Sequence, residues 1–76
     1  MGSDVKQYVC RQIGVATDTD DSFDYRKSGD VDSLGLVRLI LSLEAKFCFV
    51  FTDEDICQPE FNTIGGLVAA IERKMP

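Results

Sequence analysis

Histidine is missing from this chain of 76 residues, and tryptophan is missing with it. A catalytic serine or cysteine usually passes its proton to histidine, so the common nucleophile and base pairs are excluded. A lysine or a carboxylate would have to replace that base, and a chain of this length forms one small core with little room for a deep catalytic pocket. The composition therefore indicates a protein that is not an enzyme, and it predicts a single domain spanning residues 1–76.

Cysteine is scarce and irregularly spaced. Cys10, Cys48 and Cys57 are odd in number and have no CxxC spacing. That pattern argues against a disulfide framework and against a zinc site, and it favours a reducing, cytoplasmic location. We expect all three cysteines to be small buried hydrophobic side chains.

Basic residues and long apolar runs are scarce too. Thirteen acidic residues against eight basic ones leave a net charge of −5. This balance argues against nucleic acid as a partner and favours partners with basic surfaces. No apolar run is long enough to cross a bilayer, so we expect a soluble protein without membrane insertion.

The remaining patterns are helical. Apolar residues at helical spacing predict a first helix that ends at Ile13, where Gly14 is a stop signal. Ser3 or Asp4 is expected to cap that helix. A long polar loop, residues 15–32, follows it.

The aspartates of this loop raise the question of a calcium site. Counted from Asp18, Phe23 stands where a calcium-binding loop needs its glycine. Gly29 stands where such a loop needs its bidentate glutamate. We therefore expect a solvated acidic loop and no metal site.

A second helix is predicted from Ser33 to Phe47, with Asp32 or Ser33 as its cap. One broad face of this helix carries the apolar residues that we expect in the core, namely Leu36, Leu39, Ile40, Leu43 and Phe47. A second apolar stripe points roughly 140° away from the centre of that face. The exposed stripe consists of Leu34, Val37 and Leu41. The same neighbours cannot bury both faces.

The rest of the chain predicts shorter elements. Residues 49–51 are expected to form an extended, buried connection, because a lone strand has no partner here. Thr52 is expected to cap a short acidic turn, residues 53–57, which Pro59 ends. Thr63 is a good cap for a last helix. The predicted fold class is all-α, a small three-to-four-helix bundle with a long first loop.

Ser33 lies between Asp32 and Leu34, where the polar loop meets the second helix. The simpler interpretation is a helix cap beside ordinary exposed hydrophobic residues. The other is that a separate protein recognises the exposed stripe and modifies Ser33. A helix N-terminus suits an attached phosphate, because its free amides and its dipole stabilise negative charge. Spacing alone leaves both interpretations open.

The segment DSLGLVRLILSLEAKF, residues 32–47, resembles the acyl carrier protein family. Asp-Ser-Leu is followed by apolar residues, Leu-Glu and Phe at the family's positions, and the similarity extends over nearly the whole chain. The resemblance implies an acyl-carrier-like fold in which Ser33 receives 4'-phosphopantetheine from coenzyme A. It implies that Asp32 and Leu34 flank the attachment site. The terminal thiol of the arm would carry acyl groups as thioesters, with no catalytic residue and no metal.

The resemblance also implies partners. These are a phosphopantetheinyl transferase and the ligases and synthases that load and use acyl or aminoacyl groups, as in fatty acid or polyketide biosynthesis. We expect a free-standing monomer. The residues expected to contact partner enzymes are Leu34, Val37, Arg38, Leu41 and Glu44.

The chain departs from the family's usual pattern in two ways. Family members usually place acidic residues along the second helix, yet this chain has Arg38 and Lys46 beside Glu44. Gly35 and the segment FNTI, residues 61–64, are closer to D-alanyl carrier proteins. An aminoacyl or D-alanyl carrier is therefore the alternative function. An unmodified helical interaction module is a further alternative, and a hydrolase using Ser33 is the least supported.

Overall fold

The computed structural model describes residues 2–75 of the chain, and the side chains from residue 4 onward. Its helices are α1 (Gly2–Ile13), α2 (Ser33–Phe47), α3 (Asp53–Cys57) and α4 (Ile64–Lys74), with a 3₁₀ turn at Pro59–Asn62 before α4. The predicted all-α fold with a long first loop is confirmed. The expected cap at Ser3 or Asp4 is wrong, because α1 begins at Gly2 and contains both residues. Asp4 lies in its first turn, where a negative charge favours the helix dipole.

The core draws on every long helix. Helices α1 and α4 pack against each other, and α2 contributes Leu39 and Leu43. The fully buried side chains are Val9, Cys10, Tyr25, Leu43, Phe61, Ile64, Leu67 and Ile71. The other expected core residues of α2, namely Leu36, Ile40 and Phe47, are partly buried against this cluster. The predicted core face of α2 is therefore confirmed.

The long first loop is attached to the start of α4. Tyr25 is buried, and its hydroxyl donates a hydrogen bond to the backbone oxygen of Phe61. The amide of Ile64 donates to the backbone oxygen of Phe23 at 3.1 Å, and the amide of Gly65 donates to that of Asp21 at 2.8 Å. Two of the first amides of α4, which have no partner inside a helix, are thus satisfied by the loop.

The connection between α2 and α3 belongs to no helix or strand, and two of its three residues expected to be buried are buried. Phe49 and Phe51 are buried and their rings pack edge to face at 4.7 Å. Val50 is 71% exposed, so the expectation that the whole connection is buried is wrong. The reason is the period of an extended chain, which turns successive side chains to opposite sides.

The prediction that all three cysteines are buried is correct only for Cys10. Burial raises the pKa of the Cys10 thiol, which favours its unreactive protonated form. Cys48 is exposed because it ends α2 in the left-handed conformation, with φ at 59°. Cys57 is exposed at the end of α3, a helix without buried residues.

Two absences concern the described residues, 2–75. No helix among them is long and apolar enough to cross a membrane. No group of three or more histidine, cysteine, aspartate or glutamate side chains in that range is arranged to hold a metal ion.

Candidate functional site

The candidate site begins at the N-terminus of α2, where Asp32 is the cap. Its backbone is extended, with φ at −85° and ψ at −174°, and its Oδ1 accepts the amide of Gly35 at 2.7 Å. The amide of Leu36 donates to the Asp32 backbone oxygen at 2.8 Å, which is the first backbone bond of the helix. Of the two caps that the sequence allows, the structure selects Asp32.

Ser33 is therefore not needed for capping. Its side chain is exposed at the first position of α2. Among the described residues, none exchanges a hydrogen bond with its hydroxyl. Asp32 accepts the amides of Gly35 and Leu36, so the amides of Ser33 and Leu34 are those that favour a phosphate at the helix end. The structure thus leaves the Ser33 oxygen exposed beside a carboxylate that is engaged as the helix cap.

The exposed stripe runs along α2 from a position next to Ser33. Leu34, Val37 and Leu41 are 61%, 53% and 60% exposed. Leu39 and Leu43 on the other side of the same helix are buried. The predicted division of α2 into a core face and an exposed stripe is confirmed. Large apolar side chains grouped in this way form a surface suited to protein contact.

The two charged residues predicted to contact partners differ in their surroundings. Arg38 is exposed on α2, one residue after Val37. Glu44 is half-buried, and its Oε2 accepts the amide of Phe51 at 2.9 Å. Glu44 thereby binds the segment that follows α2. The sequence pattern does not indicate this structural contact.

The structure adds one residue to the site that sequence reasoning missed. Arg26, in the long first loop, donates from Nη1 to the backbone oxygen of Asp32 at 3.3 Å. It therefore lies beside the residue that precedes Ser33. Loop residues follow no period, so no signal in the sequence connects Arg26 with the start of α2.

The aspartates of the loop bind backbone amides of their own segment. Asp20 Oδ1 accepts the amide of Ser22 at 2.8 Å, and this bond lowers the pKa of the Asp20 carboxyl. Asp24 Oδ1 accepts the amides of Arg26 and Lys27 at 3.0 and 2.8 Å. These carboxylates stabilise turns within their own loop.

The comparisons with known proteins point to one family. A family model described as "Phosphopantetheine attachment site" matches residues 3–71. The chain is 32% identical over 72 residues to an acyl carrier protein of Chlamydia caviae, covering 93% of this chain and 91% of that protein. It is 33% identical over 72 residues to that of Chlamydia muridarum, with the same coverage. It is 34% identical over 74 residues to that of Chlamydia trachomatis, again covering 93% and 91%.

Proposed function

This chain belongs to the acyl carrier protein family, whose members carry a covalent 4'-phosphopantetheine and are not catalysts, and on that premise we propose that Ser33 bears the arm. One observation supports the assignment most directly. The Asp32 carboxylate caps α2, so the exposed Ser33 hydroxyl can be modified without loss of the cap. A phosphopantetheinyl transferase and client enzymes follow from membership of the family.

The modification needs only an oxygen from this chain. Ser33 Oγ forms a bond to the phosphorus atom of coenzyme A that is attached to pantetheine. The bond from this phosphorus to the adjoining phosphate breaks, and adenosine 3',5'-bisphosphate leaves. The serine proton leaves to a base of the transferase, since this chain has no histidine. Asp32 holds the helix end in place, and the first amides of α2 favour the negative charge of the attached phosphate. The bound arm supplies a thiol for thioesters.

The experiment is to incubate the purified chain with coenzyme A, magnesium and a broad-specificity phosphopantetheinyl transferase, and then to measure its intact mass. We expect the mass to rise by one phosphopantetheine. Ser33→Ala should stay unmodified. Ser42→Ala is the matched control, because Ser42 lies in the same helix with its hydroxyl on Gln12 Oε1 at 3.2 Å, and it should gain the arm normally. An adduct on Ser33→Ala, or none on the wild type, would overturn the assignment.

We propose an acyl group as the cargo of the arm. The similar proteins of three Chlamydia species are named acyl carrier proteins, and the match covers nearly the full length of each. The intact mass of protein purified from its own host reports the arm and its cargo together. An acyl thioester is the expected result, whereas an alanyl thioester would favour the D-alanyl carrier function.

We propose the exposed stripe, Leu34, Val37 and Leu41, as the surface that the transferase and the loading enzymes contact. Its apolar side chains begin at the residue after Ser33, so a protein that modifies the serine is expected to contact them. Arg38 lies at the edge of the stripe and is exposed. A charge at the rim of an interface mainly changes association rate and selectivity, so Arg38 is expected to tune which enzymes accept this carrier.

A further inference from the structure

Arg26 is a cationic side chain that the fold brings to the first turn of α2. Its Nη1 donates to the Asp32 backbone oxygen at 3.3 Å, and the same oxygen accepts the amide of Leu36 at 2.8 Å. That oxygen belongs to the peptide bond joining Asp32 to Ser33. The guanidinium therefore lies within one residue of the serine that we propose as the attachment point.

The loop holds Arg26 in this position. The amides of Arg26 and Lys27 donate to Asp24 Oδ1 at 3.0 and 2.8 Å. The adjacent Tyr25 is buried, and its backbone oxygen accepts the amide of Val31 at 3.2 Å, which returns the chain to α2. Because the backbone on both sides is fixed, little further ordering is needed for Arg26 to bind a group attached at Ser33.

The Arg26 guanidinium has more hydrogen-bond donors than its contact with Asp32 uses. Within the described part of the chain, the ion pairs are Lys6 with Asp21 and Lys74 with Asp55, and no carboxylate pairs with Arg26. A guanidinium has five N–H donors in a planar fork that matches phosphate oxygens. The contact with the Asp32 backbone oxygen uses one nitrogen, so the rest of the fork is available.

The attached arm creates a need for such a cation. A phosphodiester on Ser33 places a negative charge beside the Asp32 carboxylate, which must stay in place as the cap of α2. Two like charges on adjacent residues repel each other. We propose that the Arg26 guanidinium binds the phosphodiester at Ser33 and holds the root of the arm against the first turn of α2. This inference rests on the proposed function of Ser33.

The test uses the full-length chain with the arm attached and detects the phosphate by NMR. The ³¹P chemical shift of the arm is measured for the wild type, Arg26→Gln, Arg26→Lys and Lys27→Gln. Lys27 is the matched control, because it is the next residue, is exposed, and loses the same charge. We expect the resonance of Arg26→Gln to move toward that of the same phosphodiester in the urea-unfolded modified chain. Arg26→Lys should recover part of the shift, and Lys27→Gln should match the wild type.

A second measurement needs no variant. In the wild type, the Arg26 side-chain N–H resonances are compared before and after the arm is attached, and we expect them to shift. The ³¹P resonance should also move toward its value in the urea-unfolded modified chain as salt is added, since screening weakens the contact. Unmoved Arg26 resonances, or equal ³¹P shifts in Arg26→Gln and Lys27→Gln, would overturn this inference alone. A wild type that takes up no arm would overturn the proposed function as well.

Discussion

At the start of α2, two adjacent side chains have different surroundings. Asp32 closes the helix end through its bond to the Gly35 amide at 2.7 Å, while Ser33 is exposed. A cap that used the serine hydroxyl would compete with its modification. Because the carboxylate does the capping, the bare and the modified protein are expected to have the same helix start.

This separation predicts unequal effects of two alanine substitutions. Asp32→Ala removes the cap and should lower the free energy of unfolding by about 1 kcal/mol, the usual value for an N-cap. Ser33→Ala removes an exposed hydroxyl and should change it by less than roughly 0.5 kcal/mol. Urea denaturation followed by circular dichroism measures both. Equal losses in the two variants would mean that Ser33 shares in the capping.

At the scale of elements, α2 carries two apolar faces that differ in exposure. Leu43 is fully buried, whereas Val37 and Leu41 are more than half exposed. We expect Val37→Asp and Leu41→Asp to keep wild-type helicity and thermal stability. Both should slow arm transfer roughly tenfold or more, because apolar residues central to a small interface carry most of its binding energy.

Two controls define this prediction. Val50→Asp changes an exposed valine that lies outside α2 and should load at the wild-type rate. Leu43→Asp should unfold the chain, because it buries an unpaired charge. If Val37→Asp or Leu41→Asp also unfolds, that position belongs to the core. If both fold and load normally, partner enzymes use another surface.

None of the residues of helix α3 is fully buried, and Ile56 packs partly buried against the core. Thr52 and Asp55 form a capping box, and the Lys74 ammonium of α4 pairs with Asp55 at 2.7 Å. The hydrogen bond from Lys74 and the bond from the Thr52 amide lower the pKa of the Asp55 carboxyl to about 2. The folded state therefore prefers the ionised carboxylate, so this contact favours folding when Asp55 is charged.

The sign of this shift predicts how stability depends on pH. The unfolded carboxyl has a pKa of about 3.9, so the Asp55 contribution is complete above about pH 4 and is lost as the pH falls toward 2. In Lys74→Gln the pKa of Asp55 should rise toward its ordinary value, which a carboxyl-detected NMR titration measures. Arg73→Gln, which removes the neighbouring exposed cation, should leave it unchanged. The same Asp55 midpoint in wild type and Lys74→Gln would contradict the assignment.

At the scale of the whole molecule, a net charge of −5 is distributed over a chain of 76 residues. Ion pairs such as Lys6 with Asp21, at 2.8 Å, offset only part of the repulsion. Surface pairs of this kind contribute little to stability, whereas a net charge far from zero opposes the compact state. Repulsion among the carboxylates is therefore expected to destabilise the fold.

Salt should consequently raise the melting temperature. Sodium chloride added up to about 0.1 M shortens the screening length to about 10 Å and weakens this repulsion. Asp18→Asn removes one exposed loop carboxylate; it should raise the melting temperature at low salt and reduce the response to salt. Calorimetry over this range measures both effects. A melting temperature that stays flat or falls with salt would contradict the prediction.

The sequence by itself determined the helices and the place of the serine. The bounds of α2, the caps Thr52 and Thr63, and the two faces of α2 all depend on neighbours within a few residues along the chain. Helical period and capping chemistry are local, so they can be read without knowing what packs where. The exposure of Leu34, Val37 and Leu41 followed from the angle between the two faces.

Only the tertiary structure decided how the loops close on the helices. The contact of Glu44 with the Phe51 amide and that of Arg26 with the Asp32 backbone oxygen depend on how loops close. Gly66 looks like a poor choice for a helix start, yet a Cβ there would lie 1.8 Å from the backbone oxygen of Glu60, so no other residue fits. The exposure of Cys48 likewise depends on how α2 ends. These features depend on packing between segments, and a local sequence pattern does not predict such contacts.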